Sequence, residues 1–269
     1  MFNIIAATYK KNRIVAKRAF PWTLIIGRFI AGFFTVIFPY FIYNFFLKGS
    51  LSESFNKYTN QSDYITYIVL GSAFLILGRS IMMEVGRAFI TELREGTLEP
   101  FLLSSASKTG YFIGCLVEQL GRSILQLSVV LLLGIVFGAH IIGIFSFQSI
   151  IVIFLAILGF FSMALILSSI MLYTRDTYIT QNTLFTLMAF VSGVSFPVEY
   201  LPTWLQCISH LFPMTPALKL FRLAVISNQS IMQHMDLILE LLILSGVYIL
   251  IGVVWFNKLE KKLTENIFG

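Results

Sequence analysis

The sequence predicts an all-α integral membrane protein. It has six transmembrane helices, an N-terminal amphipathic helix in the interface, a short cytoplasmic helix and an outer re-entrant or interfacial helix. Three observations predict this. Of the 269 residues, 57% are hydrophobic and only 12% charged, about half the ~25% charge of an ordinary soluble domain. Mean hydropathy is +0.85. The apolar residues also gather in runs of helical membrane length, not in the ~10-residue alternation of a membrane barrel. So few ionisable groups cannot cover a water-facing surface, which excludes a cytosolic enzyme, a secreted disulfide scaffold and a disordered chain.

The first element is residues 1–20. Phe2, Ile4, Ile5, Ile14 and Val15 alternate there with Lys10, Lys11, Arg13, Lys17 and Arg18, the pattern of an amphipathic helix on the inner interface. It ends at Phe20 and Pro21. No compact apolar run with a small-residue cleavage site follows these charges, so no cleaved signal peptide is expected. The six spans are Trp22–Leu47, Tyr64–Phe89, Gly110–Ala139, Phe147–Tyr173, Tyr178–Phe196 and Leu237–Phe256. Each approaches or exceeds the ~20 residues that cover ~30 Å of hydrocarbon. They form a single membrane domain, without internal repeats.

An even number of crossings puts both termini on one side. With the termini in the cytoplasm, the basic ends, Arg94, Lys108 and Arg175 lie inside. Lys48, Lys57, Lys219 and Arg222 are left outside, as the positive-inside rule requires of a multi-pass cell-membrane protein. The +6 net charge then marks headgroup-facing segments, not nucleic-acid binding. Cys115 and Cys207 fall on opposite sides, too few and too far apart for a disulfide framework. The outer segment Pro197–Asp236 holds Pro197, Pro202, Pro213, Pro216 and Trp204. It is too broken to span and too apolar for a free loop, so a short interfacial helix followed by a re-entrant or lateral stretch is expected.

Catalytic patterns are missing from this sequence. It contains no G-x-x-x-x-G-K-[ST] phosphate cradle, no H-E-x-x-H, no C-x-x-C and no G-x-S-x-G. His140, His210 and His234 fall outside with no ligand spacing, so no metal site and no enzymatic step are expected on this chain.

Charges within spans are costly, about 2.5–3.5 kcal/mol each at the bilayer centre on insertion scales. Here they are Arg28, Arg79, Glu84, Arg87, Glu118 and Arg122. Glu84 with Arg87 and Glu118 with Arg122 are spaced to meet on one helix face. Two readings stand: charge-paired inner helix ends, or the lining of an inward vestibule, with Arg79 the deepest on its helix. Gly110 with Gly114, Gly134 with Gly138 and Gly27 with Ala31 give small-residue spacings that let helices approach closely. On the fifth span Asn182, Thr186, Ala189 and Gly193 share one stripe. That stripe faces other helices, a subunit interface or a wet route. Arg79, Asn182, Thr186, Gly193, Phe196 and Pro197 are the candidate pathway or gate residues.

Two motifs decide the function. Thr91–Thr109 begins with Glu92, Arg94, Glu95 and Glu99, which stop the second helix from continuing in lipid. Gly96 allows a turn and Pro100 suits the start of a new helix. Phe101, Leu102 and Leu103 then form a segment that wants to bury one face, a cytoplasmic knob for a soluble partner. At Glu92, Arg94, Glu95, Gly96, Thr97, Leu98, Glu99, Leu102 and Leu103 the chain resembles the ABC-2 type transporter permeases, whose signature runs approximately E-R-E-x-G-T-x-E-x-L-L. Leu93 interrupts the charged start, and Ser105-Ala106 stand where the family often has a proline.

A second resemblance runs through Ser192-Gly193-Val194-Ser195-Phe196-Pro197, Leu201-Pro202-Thr203-Trp204-Leu205, Leu211-Phe212-Pro213-Met214-Thr215-Pro216 and Arg222. The resemblance implies a permease subunit of an ATP-binding cassette exporter, paired with a second permease subunit, identical or not, and with ATP-binding subunits. ATP and Mg would be held by the ATP-binding partner, with no cofactor on this chain. Glu92–Leu102, including Pro100 and Phe101, would be the coupling helix docked on that partner. The expected cargo is amphipathic or hydrophobic: a drug, an antibiotic peptide or a lipid-like molecule. A polysaccharide or lipid-linked glycan, or a scaffold that docks an ATPase without transporting, are the alternatives.

Overall fold

The computed structural model describes residues 1–19, 22–46, 55, 58–59, 63–226 and 230–268, and their regular structure is entirely helical. In chain order they form α1 (Phe2–Ala19), α2 (Trp22–Phe41, continued by a π-helical turn Ile42–Phe46), α3 (Tyr64–Arg94), α4 (Leu98–Leu103) and α5 (Lys108–Val136). There follow α6 (Phe147–Thr174), α7 (Tyr178–Val191), α8 (Thr203–Ser209), α9 (Met214–Ile226) and α10 (Met235–Phe268). Phe20, Pro21, Leu47, Lys48 and Lys57, which carry parts of the sequence reading, lie outside the described residues.

Among the described residues, four helices are long and apolar enough to cross a membrane: Tyr64–Arg94, Lys108–Val136, Phe147–Thr174 and Ile231–Lys262. They match the second, third, fourth and sixth predicted spans. The other two predicted spans carry shorter apolar helices, Phe29–Phe45 and Asn182–Val191. In the first, Pro39 stands inside α2 and a π-helical turn follows it, because proline removes one rung of the helical ladder. In the fifth, α7 stops after 14 residues, roughly 21 Å at ~1.5 Å per residue. Tyr178–Phe196 is therefore not one continuous helix. Gly193 turns the chain with φ 77°, and Pro197 follows.

α3 is the hub. It packs against α2, α4, α5, α6, α7 and α9 and buries Leu70, Phe74, Ile81, Met82, Val85 and Phe89 almost completely. α6 packs on α3, α9 and α10. The predicted interfacial helix α1 lies along α5, with Thr8 buried and Phe2, Ile14 and Val15 exposed. Gly114 makes that contact possible, since a Cβ there would sit 2.6 Å from the Thr8 Cβ. The Gly110–Gly114 spacing thus serves α1, not a crossing helix. Gly138, φ 93°, ends α5 instead of packing. The segment expected outside folds as the short α8, with Trp204 exposed, and then α9, whose Met214, Leu218, Phe221 and Val225 are buried.

Candidate functional site

α3 ends in an elbow. Glu95 caps it, Gly96 adopts φ 72°, and the Thr97 N–H donates back to the Glu92 carbonyl at 2.9 Å. Only glycine takes such a φ without strain, and it reverses the chain into α4. Leu98 and Leu102, 2% and 6% exposed, fasten α4 to the bundle. Phe101 packs on Phe89 and Tyr111 (ring centroids 5.7 and 4.9 Å), and Phe89 also meets Phe112 and Phe256. The elbow is therefore bonded to α3, α5 and α10 at once. Its outer rim is Arg94, Glu95, Gly96, Thr97, Glu99, Pro100 and the half-exposed Leu103.

Glu92 does not belong to that rim. It is 4% exposed, and its carboxylate accepts from Lys11 Nζ of α1, from Thr97 Oγ1 and from Tyr111 Oη of α5, the last at 2.6 Å. Lys11 also reaches Glu95 at 3.6 Å. A buried carboxylate survives only when charge-paired and hydrogen-bonded, and here three elements converge to do it. Asn12 Nδ2 adds a contact to Cys115 Sγ at 3.3 Å. In the sequence Lys11 stands among headgroup-facing charges and nothing marks Tyr111. The available signal was the polar spacing of Thr8, Lys11 and Asn12, which share one face of α1. From the elbow Arg94 Nη2 donates to Thr177 Oγ1 at 3.3 Å, just before α7.

Above the elbow, Arg122 bridges Glu118 on its own helix (2.6 Å) and Glu84 on α3 (2.7 Å). Glu84 and Arg122, with Lys11, Asn12, Arg87 and Glu95, line a cavity of about 230 Å³. The predicted Glu118–Arg122 pair is present, and it is extended across two helices. Arg79 stands apart from it, exposed on α3 with its guanidinium 5.5 Å from the Phe185 ring of α7.

At the other end of α3 lies the break after α7. Arg222 of α9 donates Nη1 to the Gly193 carbonyl (2.7 Å) and Nη2 to the carbonyls of Val194 (2.9 Å) and Tyr67 (3.0 Å). Its guanidinium lies 3.4 Å from the Tyr67 ring centre, and Tyr67 Oη donates to Gly193 O at 3.0 Å. Carbonyls left without helical partners where a helix ends need donors, and the planar fork of arginine supplies several in fixed geometry. Gly71 permits the approach: a Cβ there would be 2.4 Å from the Val194 oxygen. Pro197 is buried and Phe196 half-buried, its ring 5.7 Å from Phe190.

The candidate pathway residues are not brought together. Gly193, Phe196 and Pro197 belong to this break after α7, Asn182 and Thr186 are exposed on α7, and Arg79 lies further along α3. One connection does emerge. Tyr67 and Glu92 stand on the same continuous helix, roughly 37 Å apart at ~1.5 Å per residue. α3 thus holds the elbow at one end and the break after α7 at the other.

Both features fall within residues 8–226, which match the family model described as ABC-2 type transporter. The chain belongs to the ABC-2 type transporter family. The match begins inside α1 and runs through α9, so the Lys11–Glu92 contact and Arg222 are both part of the ABC-2 region. Among curated proteins, the chain is 27% identical over 163 residues to "Probable multidrug ABC transporter permease YbhR" of Escherichia coli (strain K12), covering 59% of this chain and 43% of that protein. The same figures hold for the protein of that name in Escherichia coli O157:H7. The chain spans about two fifths of the length of these curated relatives.

Proposed function

We propose that this chain is the permease subunit of an ATP-binding cassette exporter. In this reading it moves an amphipathic or hydrophobic cargo outward, driven by a separate ATPase docked on the elbow. The observation that carries the proposal is the double anchorage of α3, which grips the elbow at one end and the broken outer segment at the other. The YbhR relatives, named as probable multidrug permeases, support a drug-like cargo.

In this mechanism the elbow rim of Glu95, Glu99, Pro100 and Leu103 meets the ATP-binding subunit, which holds ATP and Mg. A push on α4 cannot be absorbed locally, because Leu98, Phe101 and Leu102 are packed and Glu92 ties the turn to α1 and α5. The displacement passes to α3, α5 and α10 through Phe89, Tyr111 and Phe256, and to α7 through Arg94 and Thr177. α3 then shifts Tyr67 and Gly71 against Arg222, Gly193 and Val194 and re-packs the outer break. A second permease subunit completes the route.

The test is Glu95→Lys with Glu99→Lys. Both side chains are exposed, so expression and membrane insertion should hold while recovery of the ATPase with the tagged permease falls roughly tenfold, the equivalent of ~1.4 kcal/mol. Undiminished recovery would remove the elbow from the docking surface. Cargo-stimulated ATP turnover in vesicles separates an exporter from a scaffold that docks the ATPase without transporting.

A further inference from the structure

α5 and α6 are consecutive membrane-length helices joined by residues 137–146, yet they make almost no direct contact, and each leans on α3 instead. The wedge between them is a cavity of about 310 Å³. Phe74 of α3, stacked on Phe221 of α9 with ring centroids 4.9 Å apart, lies at its back. Leu127 of α5 and Ile157 of α6 line its sides, and Ile124, 61% exposed, stands at its mouth. The polar exception in the lining is Ser123, whose hydroxyl is already engaged by the Gln119 carbonyl (2.9 Å) and by Ser80 (2.8 Å). No lining hydroxyl is left over to recognise a polar ligand.

These residues lie towards the middle of three helices long enough to cross the bilayer, at hydrocarbon depth. An open apolar wedge there loses dispersion contact along both walls unless something fills it. A helix from a second protein, about 10–12 Å across with ~5.4 Å per turn, can lie over the mouth, but a single turn of it occupies more than the cleft's about 310 Å³. A single unbranched hydrocarbon chain can enter such a volume and matches its apolar lining. We propose that the α5–α6 cleft is a binding site for one acyl chain of a membrane phospholipid. Because Phe221 precedes Arg222, a chain seated there also buttresses the helix that holds Gly193 and Val194.

The experiment uses the full chain in nanodiscs of phosphatidylcholine carrying a mid-chain diazirine, irradiated and mapped by mass spectrometry. Adducts on Ile124, Leu127 and Ile157 should exceed those on the exposed α10 residues Ile243 and Val247 by about tenfold, equivalent to ~1.4 kcal/mol. Leu127→Trp or Ile157→Trp, which fill the wedge, should abolish that excess and leave the α10 adducts unchanged. Equal labelling of the two faces, or an excess that survives both substitutions, overturns the proposal. So does cross-linking of the cleft to a second protein chain. Should the tryptophan variants fail to give a monodisperse protein, Ile157→Ala widens the cleft, and loss of the α5 adducts in it would equally overturn the site. The readout needs neither ATPase nor cargo, so failure of the exporter reading leaves it intact.

Discussion

At Glu92 one carboxylate serves a lysine, a threonine and a tyrosine drawn from three parts of the chain. Removing it leaves the Tyr111 hydroxyl, itself buried, without that acceptor, a loss of about 1–3 kcal/mol for a buried polar group. Glu92→Leu should therefore lower the melting temperature of the purified protein by several degrees, at roughly 2–4 °C per kcal/mol for a chain of this size. Glu92→Gln, which keeps an acceptor, should lower it less. Equal, negligible shifts in a detergent thermal melt would contradict the hub. Arg222 gives a second residue-scale expectation. Lysine offers a compact point charge, not a fork, so Arg222→Lys should destabilise nearly as much as Arg222→Met, and a full rescue by lysine would show that charge alone suffices. The sequence displayed Glu92, Arg94, Glu95 and Glu99 as one acidic knob. Which of them turns inward depends on Lys11 and Tyr111, whose arrival depends on tertiary packing that no local spacing reports.

Among the elements, α3, α5, α6 and α10 were legible because long apolar runs admit few alternatives in a membrane. The end of α7 was not. Hydropathy continues through Val194 and Phe196, and nothing in it separates a helical residue from one held by a distant guanidinium. The placement of α1 on α5 was also hidden, since Thr8 against Gly114 and the polar contacts of Lys11 and Asn12 hold it together with the half-buried Ile4. Glycines supply the corresponding test. Gly71→Ala drives a methyl group toward the Val194 carbonyl and Arg222 Nη2, and overpacking of this kind costs typically about 1–3 kcal/mol. Gly27, with nothing within 4 Å of its added Cβ, should accept alanine without loss. Thermal melts of the two variants check the contrast, and similar behaviour would deny the close approach of α3 to the outer break.

For the whole molecule, an elbow that docks a cytoplasmic ATPase requires a definite sidedness. Cys207 is exposed on α8 and Cys115 is buried between α1 and α5. A membrane-impermeant maleimide added to intact cells should modify Cys207 and spare Cys115. In a variant lacking both, Glu99→Cys should react only after the membrane is opened. Labelling of that elbow cysteine from outside would invert the topology. In the proposed mechanism α3 is the beam of a lever, and no single motif in the sequence describes a beam.

The α7 surface carries one last implication. Asn182 and Thr186 point outward from this copy, and an amide turned to hydrocarbon is unfavourable until something covers it. Should the proposed second permease subunit cover those two side chains, its absence should shorten the cellular lifetime of this chain, as a pulse-chase with and without that subunit would read.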